Sequence, residues 1–485
     1  MKKQAFNPYL PSWEYIPDGE PHVFGNRVYV YGSHDLYNGT VFCLGDYVCY
    51  SAPVDDLSSW KYEGVIYKKM DDPANDGRMV LYAPDVTQGP DGRYYLYYVL
   101  DKVGFVSVAV CNKPAGKYKF YGYVHYKDGT RLGDRKGDIP QFDPGVLTEG
   151  DKTYLYTGFC GRQMKDRIGA MATVLGKDML TIEEEPVVIA PGDVYSKYKK
   201  AGDIKTDCPY TLDSVEKWGA YKDHEFFEAP SIRKVGDTYY FVFSTAVMHE
   251  LGYAVSKNPT KGFEYKGVIV SNCDIGISSY KKADLPSAHG ANNHGGFVKI
   301  KDDYYIFYHR HTNNTWYSRQ GCAEKIKILP DGTIPQVEIT SCGLNGGPLE
   351  AKGEYPSYIV CNQFNPQKPV MYVGDAANSK VVQDGRDGDK ELGYISNISQ
   401  NTVLGFKYFD FKNVKKVTIT VRGYIYGNFE VRTDWNGPTL GKIEVTSANF
   451  FEERSGSVNI PDGIHAFYLV FTGTGTGELK SFRFD

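Results

Sequence analysis

The sequence predicts an all-β protein that combines a five-bladed β-propeller, residues 1–345, with a jelly-roll-like β-sandwich, residues 346–485. A pattern of a polar residue, a turn and an aromatic strand occurs five times before residue 340, and repeats of such all-β units are typical of propellers. The pattern stops near residues 343–348, where glycines and a proline favour a linker. Short alternating strands with turn signals follow, which favours a sandwich.

Each copy of the pattern places its polar residue about ten residues ahead of the first tyrosine of a strand, roughly the length of one strand and a tight turn. The five polar residues are Asp18, Asp85, Asp143, Glu228 and His294. Equivalent positions of successive blades converge on the axis of a propeller, so we expect these side chains to meet there. Several carboxylates at one axis repel each other and shift each other's pKa values, which favours catalysis over a purely structural role.

The units follow one another in chain order. Residues 1–35 enter the first blade, and the prolines of this segment exclude a helix. Residues 36–81 supply outer strands, residues 82–141 form the second unit, and the third ends near residue 190. Residues 191–225 lack periodicity, and a long loop of this kind is usually functional or mobile. We expect it to be either a wall of the site or a surface insertion.

Composition excludes several classes of protein. The chain has 485 residues and a net charge of -4, without the basic clusters of a nucleic-acid-binding protein. No apolar run reaches the length of a membrane span. The nine cysteines are scattered without a CxxC pair, which indicates free thiols. The N-terminus has no apolar stretch, so we expect a cytoplasmic protein, or a secreted one if a leader was removed. The sequence does not indicate an oligomeric state.

Two carboxylates that flank a glycosidic bond can hydrolyse it. Asp18 suits the general base, because a short carboxylate leaves room for water. Glu228 suits the general acid, because its apolar sequence neighbours raise its pKa. Asp85 is the expected third carboxylate, which keeps Glu228 protonated, and Asp143 occupies the same place in the third unit. The pattern leaves alternatives open, which are Glu20 and Asp35 for the base and Glu225 for the acid.

These motifs resemble glycoside hydrolase family 43 over about residues 7–340. The matching stretches are Ile16-Pro17-Asp18-Gly19, Tyr82-Ala83-Pro84-Asp85, Phe227-Glu228-Ala229-Pro230 and Asn292-Asn293-His294-Gly295. The resemblance implies a five-bladed propeller and inverting hydrolysis, with Asp18 as base, Asp85 as the carboxylate that tunes the acid, and Glu228 as acid. It implies that His294 is an axial histidine associated with calcium. It also implies that Arg319 contacts the sugar, in a pocket to which Tyr82 and Phe227 contribute.

The tail resembles carbohydrate-binding module family 6 in stretches such as Phe429-Glu430-Val431-Arg432 and Gly441-Lys442-Ile443. Such modules stack sugars on aromatic side chains. The aromatic candidates are Tyr424, Tyr426 and Trp435, and a module that only braces the propeller is the alternative.

The resemblance implies an exo-acting glycosidase that releases terminal arabinofuranose from plant-type oligosaccharides, with oligosaccharide as its partner and no organic cofactor. Alternatives within the family are a β-xylosidase and a galactose- or galactofuranose-releasing enzyme. Alternatives of another class are a non-catalytic sugar-binding propeller and a propeller scaffold for protein partners. Three converging carboxylates favour the enzyme, because a binding protein does not need them.

Overall fold

The computed structural model describes residues 3–485 and consists almost wholly of β-strands. Five small antiparallel sheets form five blades, followed by one large curled sheet, so the predicted propeller and sandwich-like domain are confirmed. In the described residues, no helix is long and apolar enough to cross a membrane. The nine cysteines are all free in the structure.

The first two blades have four strands each. The first contains β1 Glu20–Phe24, β2 Arg27–Tyr31, β3 Tyr47–Pro53 and β4 Lys61–Tyr67. The second contains β5 Asp85–Gln88, β6 Tyr94–Tyr98, β7 Ser107–Cys111 and β8 Lys119–Tyr123. The turn between β1 and β2 uses Gly25 at φ 61°, a conformation that favours glycine.

The third and fourth blades are longer. The third contains β9 Gly145–Glu149, β10 Lys152–Thr157, β11 Gly169–Leu175 and β12 Ile182–Pro191, with the short parallel strand β13 Thr211–Leu212 at its edge. The fourth contains β14 Phe226–Val235, β15 Thr238–Thr245, β16 Glu250–Ser256 and β17 Glu264–Ser271. Short 3-10 helices lie at Lys69–Asp71, Ala201–Asp203 and Val215–Tyr221.

The fifth blade is smaller than the other four. Among the described residues it has three strands, which are β18 Phe297–Ile300, β19 Asp303–Arg310 and β20 Gln320–Ile326. The N-terminal segment lies beside its outer strand. Asn7 bonds both backbone groups of Ala323 through its side chain, and the Tyr9 amide donates to Gly321 O at 3.2 Å. The start of the chain therefore closes the ring against the last blade.

Buried clusters between neighbouring blades hold the ring together. One cluster packs first-blade tyrosines such as Tyr31 and Tyr47 against Tyr98 of the second blade. Similar clusters join the second blade to the third, the third to the fourth, the fourth to the fifth and the fifth to the first. Burying a large apolar side chain contributes about 1.5–3 kcal/mol, so these interfaces are a major source of stability. Many of the tyrosines are therefore core residues of strands.

Residues 191–225 pack on the outside of the third blade. Trp218 and Tyr195 are buried in a cluster with Ile168 and Val188. None of the residues of this segment lines the cavity described below. The segment is therefore a surface insertion and not a wall of the site, because its aromatic side chains pack against the third blade.

The C-terminal domain is a curled ten-stranded sheet that encloses one apolar core. Its strands are β21 Leu349–Glu350, β22 Gly353–Pro356, β23 Asn362–Phe364, β24 Lys380–Val382, β25 Tyr394–Ile398, β26 Val403–Phe411, β27 Lys416–Arg432, β28 Gly441–Val445, β29 Ala448–Ser457 and β30 Gly463–Phe484. Further 3-10 turns lie at Gly343–Asn345 and Ser357–Ile359. The long strands β27 and β30 pair along most of their length, and phenylalanines such as Phe406, Phe467 and Phe482 fill the core.

Candidate active site

A cavity of about 490 Å³ opens where loops that flank the inner strands of the blades converge. Its charged and polar side chains include Asp18, Asp143, Glu228, His294 and Arg319. Its aromatic side chains are Phe42, Tyr82, Phe142, Phe159, Phe227, Trp316 and Tyr317. The structure therefore brings the predicted site residues together in one cavity, with Asp85 as the exception.

The register of the hairpins explains why Asp85 is absent from the cavity. Asp18 and Asp143 each lie two residues before the first residue of the inner strand of their blade, β1 and β9. Asp85 is itself the first residue of β5. Counting back in the same way, Ala83 is the second-blade equivalent of Asp18, and Ala83 lines the cavity.

The sequence carries a signal for this register that a search for polar residues alone misses. An aromatic residue directly precedes each cavity-lining position in three blades, in the pairs Tyr82-Ala83, Phe142-Asp143 and Phe227-Glu228. Aligning the repeats on these aromatic residues places Asp143, not Asp85, in phase with Glu228.

The backbone at the three cavity carboxylates is unusual. Asp18 has φ 57° and Asp143 has φ 46°, and Ala229, next to Glu228, has φ 64°. Positive φ is uncommon outside glycine, tolerated by Asp and unfavourable for Ala, and such strain clusters at functional sites. At Glu228 the pairing of β14 with β15 shifts register, so the strand is irregular where the side chain enters the cavity. Positive φ thus occurs at or directly after each of the three carboxylates, and not at Asp85 or Val86.

Asp18 is held as an anion by its neighbours. Arg319 Nη1 lies 2.8 Å from Asp18 Oδ1, and His309 Nδ1 lies 3.4 Å from the same oxygen. Burial by itself raises the pKa of Asp18, but the positive charge of Arg319, with smaller contributions from His309 and His294, outweighs it and lowers the pKa to about 2. Asp18 is therefore ionised at neutral pH, as a general base requires.

Glu228 and Asp143 have the opposite character. Burial, followed by the negative charge of Asp18, raises the pKa of Glu228 to about 8. Burial, followed by the charge of Glu228, raises the pKa of Asp143 well above its usual value. Asp143 Oδ2 also accepts a bond from the Ala229 amide at 3.3 Å, which fixes it beside the Glu228 backbone. The site therefore holds one ionised carboxylate and a coupled pair that retains a proton at neutral pH.

Asp85 is engaged outside the cavity. His22 Nε2 lies 2.6 Å from Asp85 Oδ1, and Asp85 Oδ2 accepts from the Val146 amide at 2.8 Å. Burial raises the pKa of Asp85, but the pairing with His22 outweighs it and the net shift is downward. Asp18 is the carboxylate whose charge raises the pKa of Glu228, and the charge of Glu228 raises the pKa of Asp143, so the carboxylate coupled to the acid is Asp143 and not Asp85.

The competing carboxylates also have other partners. Glu20 Oε2 accepts from Arg233 at 2.6 Å and from Ser231 at 3.0 Å. Asp35 accepts two bonds from the Arg319 guanidinium, at 2.7 Å and 3.0 Å. Glu225 accepts a bond from Ser196. None of the three lines the cavity, and Asp35 acts on Asp18 indirectly by orienting Arg319.

The aromatic side chains form two walls. On one side Tyr82, Phe142, Phe159 and Phe227 contact one another in a row, with ring centroids 5.2–5.4 Å apart. On the other side Tyr317 meets Phe42 edge-on at 4.8 Å, and the Arg319 guanidinium lies over the Phe42 ring. Flat apolar surfaces beside charged groups are suited to a sugar ring, which has apolar faces and a polar rim.

Residues at the axis fit a bound cation. His294 Nδ1 faces Asp143 at 3.7 Å, while its Nε2 faces Glu20 Oε1 at 3.8 Å. Glu20 Oε1 is buried and lacks a hydrogen-bond partner in the described residues. Donor atoms of Glu20, His22 and Asp85 all lie within 4.8 Å of one another. Two carboxylates and an imidazole, completed by water, are a plausible ligand set for a divalent cation.

The aromatic candidates of the C-terminal domain fall into two groups. Trp435 packs edge-on against Phe364, and its indole nitrogen donates to Tyr280 O of the propeller at 3.2 Å. Tyr424 and Tyr426 are exposed, 72% and 43%, and contact each other edge-on. Trp435 therefore belongs to the interface between the domains, while the two tyrosines lie on the surface.

Comparisons with known proteins agree with this organisation. The model of Glycosyl hydrolases family 43 matches residues 25–334, and that of Carbohydrate binding module (family 6) matches residues 375–485. A xylosidase/arabinosidase of Thermoclostridium stercorarium is 63% identical, with 99% of each chain covered. An arabinoxylan arabinofuranohydrolase of Paenibacillus polymyxa is 25% identical over 94% of this chain and 70% of its own length. The crystal structure of an arabinoxylan arabinofuranohydrolase from Bacillus subtilis shares the fold, with a TM-score of 0.51, 20% identity and coverage of 99% and 97%.

Proposed function

This chain belongs to glycosyl hydrolases family 43, and within that family we propose that it is an exo-acting α-L-arabinofuranosidase that removes terminal arabinofuranose from plant-type oligosaccharides. As a member of the family it is an inverting glycoside hydrolase of the xylosidase/arabinosidase group. The observation that carries the proposal is a cavity of about 490 Å³ in which an ionised Asp18 and a protonated Glu228 share one aromatic-walled space.

The proposed reaction is a single displacement. Asp18 removes a proton from a water molecule whose oxygen attacks the anomeric carbon, while the bond from that carbon to the leaving oxygen breaks. Glu228 gives its proton to the leaving oxygen, so the products are a free sugar of inverted configuration and a shortened oligosaccharide. Each turnover leaves a proton on Asp18 and removes one from Glu228, and exchange with solvent restores both.

We assign the third carboxylate role to Asp143 in place of Asp85. Its contact with the Ala229 amide and its charge coupling to Glu228 support this assignment. A negative or partly negative group beside Glu228 favours the protonated acid, which is the form that the reaction needs.

Arg319 has two parts in the proposal. Its bonds to Asp35 fix the guanidinium, and its contact with Asp18 keeps the base ionised. Because it lines the cavity, it is also our candidate for hydrogen bonds to the terminal sugar, together with stacking surfaces from Tyr82 and Phe227.

We also propose a cation, calcium being the first choice, at the axis beside His294 and Glu20. A bound cation would supply positive charge that compensates the buried Glu20 carboxylate, whose pKa burial raises to about 8. His294, whose pKa burial lowers to about 4, is neutral and can serve as a ligand. In this site His294 would also be oriented toward Asp18 and Asp143.

The choice of arabinofuranose over xylose rests on domain organisation. The Paenibacillus polymyxa relative that matches across both domains is named an arabinoxylan arabinofuranohydrolase. A β-xylosidase remains the second candidate, because the relative with 63% identity carries both names.

Hydrolysis of a panel of aryl glycosides tests the proposal. We expect kcat/KM to be highest for the α-L-arabinofuranoside, lower for the β-D-xyloside and lowest for the β-D-galactofuranoside, with all activity lost in Asp18→Asn. A higher value for the xyloside would reverse the choice of sugar. No turnover of any member would contradict the assignment of this activity.

A further inference from the structure

The C-terminal domain reaches across the propeller through residues 371–383, a segment that we call the arm. The Gly290 amide donates to Met371 O at 2.7 Å, and the Val373 amide donates to Gly290 O at 3.1 Å. These bonds form a short parallel bridge between the two domains. The arm therefore continues from the sandwich onto the propeller surface that carries the cavity.

The arm binds the loop between β19 and β20 at several points. Asn314 accepts from the Gly374 amide at 3.1 Å and donates to Asp375 O at 2.6 Å. Asn313 donates to Val381 O at 2.7 Å, and the Val381 amide donates to Thr312 O at 2.8 Å. The same loop continues directly into Trp316, Tyr317 and Arg319, which line the cavity.

The two ends of the loop are held by the propeller, because His311 contacts Asn292 O at 2.9 Å and Arg319 bonds Asp35, whereas its middle depends on the arm. Residues 311–319 contain turns and no strand, and Asn314 has φ 56°. Thr312, Asn313 and Asn314 are more than nine-tenths buried, and their polar groups need partners. The backbone of the arm supplies most of those partners for Asn313 and Asn314. Without the arm these groups would be left unsatisfied or would turn to water, and the loop would change shape.

A second contact reaches a loop of the fourth blade that also lines the cavity. The Tyr372 hydroxyl donates to Val247 O at 3.2 Å, and the next residue, Met248, lines the cavity at φ 68°. One segment of the C-terminal domain is thus fastened to two loops that shape the site.

The interface behind the arm contains a buried network of ion pairs and hydrogen bonds. Lys407 is fully buried, with its ammonium 3.3 Å from Asp274 and 3.2 Å from Glu338 of the propeller and above the ring of Tyr280. The Tyr408 hydroxyl donates to Glu338 at 2.6 Å. A buried, doubly paired cation favours one fixed arrangement, because separating the domains would leave charges without partners. The C-terminal domain is therefore not a flexibly tethered module.

We propose that the arm is a positioning element of the active site. It holds two loops, one with Trp316 and Tyr317 and one with Met248, in the shape that admits the terminal sugar. The C-terminal domain therefore contributes to catalysis without contacting the reacting atoms. This inference rests on the proposed function for its effect on turnover, while the effect on loop structure is independent of the substrate.

Two variants and one matched control test the proposal in the full chain. Asn314→Gly keeps the positive φ and removes both side-chain bonds to the arm. Tyr372→Phe removes the bond to Val247. Tyr408→Phe removes one hydroxyl bond of the same kind between the same two domains, but far from the cavity loops. Steady-state kinetics on the aryl glycoside that the wild type prefers, the melting temperature and hydrogen exchange of residues 311–319 are measured for each.

We expect Asn314→Gly to raise KM about tenfold and to accelerate amide exchange in residues 311–319, with kcat changed less, because it loses two hydrogen bonds. Tyr372→Phe should show a smaller rise in KM. Tyr408→Phe should lower the melting temperature while leaving KM and exchange in that loop unchanged.

A lower melting temperature in all three variants, with unchanged KM and unchanged loop exchange in Asn314→Gly and Tyr372→Phe, would overturn the proposal in favour of a purely structural interface. If the wild type hydrolyses none of the glycosides, the proposed function fails, and the exchange data alone then decide whether the arm holds the loop.

Discussion

The ionisation of each carboxylate depends on which charged groups stand beside it. Asp18 faces Arg319 and is ionised, while Glu228 lies in the same cavity without a cation in direct contact and retains its proton. Burial raises the pKa of both groups, so the difference arises from the direct contact of Arg319 with Asp18 and from the negative charge of Asp18, which raises the pKa of Glu228. Two carboxyl groups thereby take different roles, Asp18 as the base and Glu228 as the acid.

The role of Glu228 can be tested through the leaving group. Glu228→Gln removes the proton donor, and general acid catalysis contributes about 10²–10⁴-fold. We therefore expect kcat to fall by about that factor on an unactivated oligosaccharide and much less on an aryl glycoside whose leaving group needs no proton. Glu225→Gln, at a buried carboxylate outside the cavity, is the matched control and should leave both activities close to wild type. Equal losses on both substrates would argue against Glu228 as the acid.

At the scale of single elements, the strands were more predictable than their ends. The tyrosine-rich strands β2, β6, β10, β15 and β19 lie where the repeated pattern predicts them. The fifth blade could not be completed from sequence, because its outer neighbour is the segment around Asn7, which has no strand pattern and acts through its side chain. Asn7 and Ala323 are far apart in sequence, and a contact made by a single side-chain amide leaves no periodic pattern in the sequence.

The contact at Asn7 predicts a stability effect. Its side chain donates to Ala323 O and Glu324 Oε1, both at 2.9 Å, and accepts from the Ala323 amide. Asn7→Ala leaves these buried groups unsatisfied, at a cost of about 1–3 kcal/mol for each such group. We expect the melting temperature to fall by several degrees, measured by calorimetry, since the ring loses its closing contact.

The exposed residue Asn459, whose side chain makes no hydrogen bond within residues 3–485, provides the control. Asn459→Ala should leave the melting temperature within about a degree of wild type, because surface substitutions usually change stability by less than about 0.5 kcal/mol. A fall of the same size in both variants would contradict a closing role for Asn7.

At the scale of the whole molecule, the ring decides which side chains meet. Asp18, Asp143, Glu228 and His294 come from the first, third, fourth and fifth blades, and the second blade contributes Ala83. The sequence predicted that polar side chains from successive blades meet at the axis, and it identified most of these residues. It misassigned the second blade because Asp85 begins β5, where Glu20 begins β1, so that polar character alone shifted the alignment by two residues.

The proposed axial cation also has a measurable effect on the whole molecule. A ligand that binds only the folded state stabilises it by about 2.7 kcal/mol at 100 times its Kd. We expect a chelator to lower the melting temperature and added Ca²⁺ to restore it. Glu20→Gln should abolish this response, because it removes the charge of the buried oxygen that lacks a partner. An unchanged melting temperature in the wild type after exhaustive chelation would exclude a tightly bound stabilising cation.

The most direct test of the account is the pH dependence of kcat/KM in the wild type, Asp143→Asn and Asp85→Asn. The pKa of Glu228, raised to about 8, predicts that wild-type activity falls above about pH 8 as the acid loses its proton. Asp143 and Glu228 are coupled and share a proton, so Asp143→Asn removes the second carboxylate of the pair, lowers the pKa of Glu228 and should shift the fall in activity to lower pH. Asp85→Asn should leave the pH at which kcat/KM falls unchanged. If the pH at which kcat/KM falls shifts in Asp85→Asn and is unchanged in Asp143→Asn, the assignment of the site is contradicted.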